Sequence, residues 1–304
     1  MNADSESRLG GFYAGLAFFW WGVIPIYFQY VRHISATELI GHRVVGVTLI
    51  ALVLLAALRL LPAVQGAIRD RRILQRLMLS ASMICINWLV FTWAATNDRL
   101  LETSMGYFIN PLFSVLLGVV LLRERLRPWQ VVSVTLAAVG VLQLVVNHGS
   151  LPWIALVLPF TFGLYGLIRK QTPVHALAGL FIETLLMSPF ALLYLVWLGA
   201  SGNDHVIHGD WPYDGLVFLA GPLTLVPLAL FSAGAKRITL TTVGFLQYIA
   251  PSMTFLLAVF VYQEPFDGVE LITFICIWVS LVIFSVDSLR TGRVAAQKIV
   301  EEGA

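Results

Sequence analysis

Apolar residues run in blocks of roughly helix-spanning length along this chain, and the polar positions gather in short breaks between them. A helix needs about 20 residues, at about 1.5 Å each, to cross ~30 Å of hydrocarbon. The blocks predict ten such helices, at residues 10–31, 36–58, 77–96, 101–122, 129–147, 153–169, 174–198, 215–235, 239–262 and 269–288. The sixth is short and interrupted by Pro159, Gly163 and Gly166.

The pattern also repeats. "GYFINPLFSVLLGVVLLRERLR" (106–127) aligns without a gap with "LQYIAPSMTFLLAVFVYQEPFD" (246–267), placing Ile109 on Ile249, Pro111 on Pro251 and Glu124 on Glu264. More weakly, "GLAFFWWGVIP" resembles "ALVLPFTFGLYG", with Gly22 over Gly163. These matches pair the fourth span with the ninth and the first with the sixth. A repeat of five spans reverses direction between copies, so the expected fold is all-α, ten transmembrane helices in two inverted five-helix repeats. The units expected are 10–147, 153–288 and a cytoplasmic tail at 289–304. Inverted repeats of this kind are the signature of secondary transporters, whose pseudo-symmetry lets one fold open to either side.

Composition agrees with membrane insertion. Of 304 residues, 59% are hydrophobic and 12% charged, and the mean hydropathy is +0.85. A soluble chain of this length carries far more charge. The charges also segregate. One set of breaks holds Arg59, Arg69, Arg71, Arg72, Arg76, Arg123, Arg125, Arg127, Arg169, Lys170, Lys236 and Arg237, with Arg8 and Arg290, Arg293 and Lys298 at the two ends. The other set holds Arg32 and Arg99 but collects Asp98, Asp204, Asp210, Asp214, Asp267 and Glu270. The positive-inside rule then places both termini in the cytoplasm. The first span follows an acidic-containing head, has no small-residue cleavage site after it and is expected to be retained. Cys85 and Cys276 fall inside apolar blocks and are read as reduced packing residues, with no metal site.

"ELIGHRVVG" (38–46), "NWLVFTWA" (87–94), "GYFINPL" (106–112), "GSLPWIAL" (149–156), "YGLIRK" (165–170), "IET" (182–184) and "GFLQYIAP" (244–251) together resemble the RarD-type proteins of the EamA branch of the drug/metabolite transporter superfamily. The resemblance covers about residues 10–288, in order. It implies ten helices in two EamA repeats, cytoplasmic termini, small-molecule transport across the bacterial inner membrane and a link to chloramphenicol sensitivity. It fixes the class of protein and leaves the cargo open.

Ionisable residues inside spans cost about 3 kcal/mol or more each and are functional candidates by default. They are Glu38, His42, Arg43 and Glu183, with Glu102 nearer an end. Glu38 and His42 share a helix face, and under the repeat register His42 overlies Glu183. Glu183 reads as a protonatable coupling site or an anchor for a substrate cation, and Arg43 as a carboxylate anchor or the partner of Glu183. The bland reading is a buried Arg–Glu or His–Glu pair locking the repeats, with His42 an interhelical hydrogen bonder. Pro111 removes a backbone donor and crowds the Tyr107 carbonyl. A carbonyl freed at that depth needs protein or a wet cavity beside it. Tyr107 and Asn110, with Gln247 and Tyr248 before Pro251, are therefore expected to line one central pocket. The alternative is two kinked helices glued by polar groups. Trp88 and Tyr165 are the aromatics expected to stack on an aromatic or cationic substrate. Glu124 and Glu264 read as helix-end and loop structure.

No ATP-binding GxxxxGK[ST] motif is present, which excludes an ATP-driven pump on this chain alone. "HVIHGD" (205–210) and "HISATE" (33–38) have the spacing of a histidine oriented by a carboxylate, which an acyltransferase would use. No catalytic domain surrounds either, so a transporter is favoured, with a channel-like facilitator as the alternative. No enzyme activity and no cofactor are expected. The expected partners are a small-molecule substrate and membrane lipid, not nucleic acid, with a homodimer admitted.

Overall fold

A computed structural model of the chain describes residues 3–31, 34–96, 100–149, 153–202, 211–261 and 268–302. Every regular element among them is helical: α1 (Ala3–Val23), α2 (Pro25–Tyr30), α3 (Ala36–Ala57), α4 (Leu61–Arg69), α5 (Arg71–Thr96), α6 (Leu100–Leu121), α7 (Pro128–His148), α8 (Trp153–Gln171), α9 (Ala176–Ala200), α10 (Trp211–Ala235), α11 (Leu240–Gln247), α12 (Ile249–Leu256) and α13 (Gly268–Glu302). Nine runs among the described residues are long and apolar enough to cross a membrane, and Gly106–Leu121 is a shorter apolar helix between them. Large apolar side chains such as Phe190, Leu193, Val196 and Trp197 stand exposed along α9, as a lipid-facing surface requires.

Local chemistry sets the helix ends. The Ser35 side chain accepts from the Glu38 amide at the start of α3, and Thr239 accepts from the Thr242 amide at the start of α11. Asp70 Oδ1 takes the amides of Arg72 and Ile73 at 2.8 and 3.2 Å. Each removes an orphan donor of a first helical turn. Gly149, in the left-handed region at φ 78°, stops α7, where a residue with Cβ would be strained.

The structure departs from the hydropathy reading in four places. The break after the second span contains α4, a short helix that buries Val64 and Ala67. Apolar length alone misses it because it lies beside the bundle rather than through it. Helix α5 begins at Arg71, so its first turns carry Arg71, Arg72 and Arg76. Residues 289–302 continue α13 as helix past the last predicted span. The fourth span runs through Pro111 as one helix, whereas its copy is interrupted at Tyr248 and ends in a π-helical turn at Leu257–Val261.

Packing nonetheless obeys the duplication. Equivalent helices of the two halves meet one another: α3 with α9, α6 with α11, and α7 with α13. The first helix of each half crosses into the other, α8 against α6 and α5, and α1 against α12 and α10. Two glycines mark the same crossing twice. A Cβ on Gly22 would come within 2.5 Å of Met253 Cβ, and one on Gly163 within 2.7 Å of Phe113 Cδ1. Gly22 and Gly163 are equivalent in the repeat, and so are Met253 and Phe113. The chain is thus two inverted five-helix repeats related by a pseudo-twofold.

Glu124 joins the halves at the end that carries the arginines and lysines, called the basic end below. Its carboxylate accepts from the Leu240 amide at 2.6 Å, and from the Thr241 amide and hydroxyl at 2.9 and 2.7 Å. A carboxylate there complements both the orphan donors and the positive end of the α11 dipole. Glu264 lies outside the described residues. Because hydrogen bonds to a charged group are each worth about 1.5–3 kcal/mol, Glu124→Ala is expected to lower stability by about 2–3 kcal/mol. Thermal unfolding of the detergent-purified variant checks this; an unchanged midpoint would remove the cap from the account.

Candidate functional site

Among the described residues, three polar clusters hold most of the expected site residues. The first is enclosed. Glu183, on α9, is 1% exposed, and Arg169, in the last turn of α8, is fully buried. Arg169 Nη1 lies 3.5 Å from Glu183 Oε1. Ser80 of α5 donates to the same carboxylate oxygen, and the Tyr165 hydroxyl approaches Oε2 at 3.5 Å. The guanidinium is held further by Nε to Ser232 Oγ at 3.2 Å and Nη2 to the Ala176 carbonyl at 2.8 Å. Gly179 makes room for it, since a Cβ there would stand 1.9 Å from Arg169 Nη1. Four helices, α5, α8, α9 and α10, therefore converge on one buried ion pair.

This arrangement corrects two sequence expectations. Sequence order places Arg169 among the loop charges, yet it is the counter-charge of Glu183, and Arg43 is not. Tyr165 is stacked on Phe231 with ring centroids 5.9 Å apart and is fully buried, so it serves Glu183 rather than offering a face to a solute.

The second cluster centres on Arg43 of α3. Its Nε donates to Thr224 Oγ1 of α10 at 2.9 Å, and its Cζ lies 4.8 Å from the centroid of the Trp88 ring. The phenol groups of Tyr27 and Tyr107 are within electrostatic reach. Arg43 is half-buried, and Tyr107 is 44% exposed with its ring 6.0 Å from Phe91. The Arg43–Thr224 bond joins α3 to α10, and the Glu183–Ser80 bond joins α9 to α5. The pseudo-twofold exchanges these helix pairs, so each half fastens one intramembrane charge to a hydroxyl of the other half.

The third cluster is the crossing of α6 with α11. Gly244 lets the helices close until its Cβ position is 2.7 Å from the Pro111 carbonyl. Gln247 Nε2 donates to Ser114 Oγ at 2.9 Å. Gln247 Oε1 and Asn110 Oδ1 are buried without a hydrogen-bond partner. Tyr248 is 1% exposed and packs with Phe108, Ala137 and Phe274, away from Tyr107. The four residues expected to share one pocket therefore divide. Tyr107 stands with Arg43, Gln247 and Tyr248 are interhelical contacts, and Asn110 keeps its Oδ1 buried on α6. The reason is rotation: the break at Tyr248, ahead of Pro251, turns that ring into the α6–α7–α13 interface. Glu38 is buried and His42 half-buried in α3, and neighbours engage both. His205 and Asp210, and also His33, lie outside the described residues.

A separate groove of about 420 Å³ opens between α1–α2 and α10, lined by Trp20, Ile24, Tyr27, Leu216, Leu219 and Leu223. The basic end, by contrast, is laced shut. Lys170 donates to the Ala235 and Ile238 carbonyls, Lys236 to Val174, and Arg76 to Gln171. Burial, with Arg169 beside it, pushes the Lys236 ammonium down to about 8, against a smaller opposing pull from Glu183.

A duplicated, inverted helical bundle with charges fastened between its halves defines a membrane transporter of the two-repeat kind. The EamA-like transporter family matches residues 8–146 and again 151–286. An "Uncharacterized transporter" of Vibrio cholerae is 44% identical over 297 residues, covering 97% of this chain and 98% of that protein. "Protein RarD" of Escherichia coli (strain K12) is 41% identical over 288 residues, covering 95% and 97%. A solved structure titled "Crystal structure of protein" superposes with a TM-score of 0.67 at 18% identity over 92% of this chain and 96% of that one, which speaks to the fold alone. The chain belongs to the EamA-like transporter family, within it to the RarD-type proteins.

Proposed function

We propose that the chain is a secondary transporter that carries a small polar or amphipathic solute across the bacterial inner membrane by alternating access between its repeats. The observation that carries this is the doubled glycine crossing, Gly22 on Met253 and Gly163 on Phe113. Two halves joined by equivalent contacts can exchange conformations at little net cost, and the exchange turns an outward opening into an inward one. The laced basic end and the exposed Tyr107 support a state closed on the basic side. Glu183 is the coupling carboxylate in this reading: a proton on it removes the charge that holds Arg169, the side chain tying α8 to α9 and α10.

Saturable, competitively inhibited flux into proteoliposomes tests the proposal, together with counterflow driven by trans-side solute. Flux that rises linearly with concentration and shows no counterflow would instead make the protein a channel-like facilitator.

Orientation follows from the basic breaks. Both termini and the α4–α5 junction are expected in the cytoplasm. In a variant without Cys85 and Cys276, a cysteine replacing Arg72 and one replacing Ile207 should label from opposite faces with a membrane-impermeant reagent. Labelling of both from the periplasm would sink the ten-span topology.

A further inference from the structure

We propose that Arg43 is the anion subsite of the transported solute, and that this solute is an organic carboxylate with an aromatic or branched apolar body. The proposal rests on the transporter reading above and names the substrate class. Among the described residues, Arg43 and Arg169 both lie within the apolar bundle, and the protein treats them differently. Arg169 is enclosed, and the protein supplies its counter-charge in Glu183 and its hydrogen bonds in Ser232 and Ala176. Arg43 is half-buried and, among the described residues, has no carboxylate within ion-pair distance. Its one side-chain hydrogen bond uses Nε, which leaves Nη1 and Nη2 without a protein acceptor among those residues.

Holding a cation at membrane depth is costly, and the structure spends further contacts on orienting this one. Thr224, the acceptor for Nε, is itself fixed by donating to the Ala220 carbonyl at 2.8 Å. The Trp88 ring covers the guanidinium, its centroid 4.8 Å from Cζ. One edge and one face are thus occupied, and the remaining nitrogens form the fork that pairs with a carboxylate in two parallel hydrogen bonds. The surroundings choose the rest of the ligand. The Tyr107 ring stands open beside Phe91, which suits an aromatic or branched apolar body. No second cation among the described residues joins the cluster, so a singly charged carboxylate suits it better than a phosphate dianion. A positively charged amine meets only repulsion from Arg43.

Three probes of one shape decide the matter: phenylacetate, phenylacetamide and phenethylamine, each titrated against the full-length purified protein by thermal shift, which reports native-state binding by mass action. Phenylacetate is expected to bind at least about tenfold more tightly than either analogue, as a paired charge-assisted hydrogen bond should give. In Arg43→Gln the advantage over phenylacetamide should vanish, and in Arg43→Lys, which keeps the charge and loses the fork, it should fall between. If either variant fails to fold, the wild-type comparison still decides. Equal binding of acid and amide, a preference for the amine, or no shift with any of the three would each overturn the anion subsite. The transporter reading falls only if saturable flux and counterflow are absent for every solute tried, a separate result.

Discussion

Glu183→Gln is expected to abolish coupled transport while the protein still inserts, and to lower its stability by about 3 kcal/mol. The stability loss follows from the neighbourhood. Glutamine can still accept from Ser80, but it carries no charge, and Arg169 remains enclosed beside it. Breaking a buried ion pair from one side costs about 3–5 kcal/mol, because the partner charge stays behind unpaired. Arg169→Met should cost a similar amount for the mirror reason. The double variant should recover much of that stability, since replacing both charges is often close to neutral. Transport then separates the two meanings of the pair. If Glu183 couples transport to a proton, the double variant is stable and inactive in pH-gradient-driven uptake. Should the stabilised double variant transport with an unchanged pH dependence, the pair is a structural lock and Glu183 has no coupling role. Thermal unfolding and proteoliposome uptake on the same four proteins supply both readings.

The fold was largely open to reading because its two strongest signals are local or periodic. Apolar length defines a span without knowledge of its neighbours, and the alignment of Pro111 on Pro251 exposes the inversion without reference to packing. The weaker alignment of Gly22 on Gly163 proved equally informative, since both glycines exist for the same helix crossing. The sites were less legible, and the residues show why. Arg169 follows directly on an apolar block and precedes Lys170, so sequence order places it with the loop charges. Only the convergence of α5, α8, α9 and α10 on Glu183, with the missing side chain of Gly179, brings it inside. Tyr248 lies next to Gln247, yet one interrupted turn sends the two in different directions. Helix α4 escaped because a short amphipathic segment at the edge of a bundle carries no spanning-length signal. Pairings across helices depend on rotation about each axis, which composition does not encode. Arg43 was identifiable as a candidate from its depth, while the aromatic neighbours Trp88, Tyr107 and Tyr27 come from three different helices.

Gly22→Ala and Gly163→Ala should separate, although the positions are equivalent. A Cβ on Gly22 would lie 2.5 Å from Met253 Cβ and 3.1 Å from the Ala250 carbonyl. Both atoms belong to the stem and backbone of α12, so the helix itself must shift. At Gly163 the nearest atoms are Phe113 Cδ1 at 2.7 Å and Leu117 Cδ1 at 3.0 Å, the far parts of side chains that can turn aside. Overpacking of a close contact costs about 1–3 kcal/mol; the upper part of that range is expected at Gly22 and the lower part at Gly163. Transport should follow the same order if these crossings are the surfaces on which the halves move. Gly22→Ala wedges α1 away from the interrupted ninth span and should slow uptake severely, while Gly163→Ala leaves a measurable rate. A paired Met253→Gly change removes the Cβ that the new methyl meets and should restore part of the Gly22→Ala loss, in stability and in rate together. Rescue of stability without any rescue of rate would mean that the crossing holds the halves together but is not where they move.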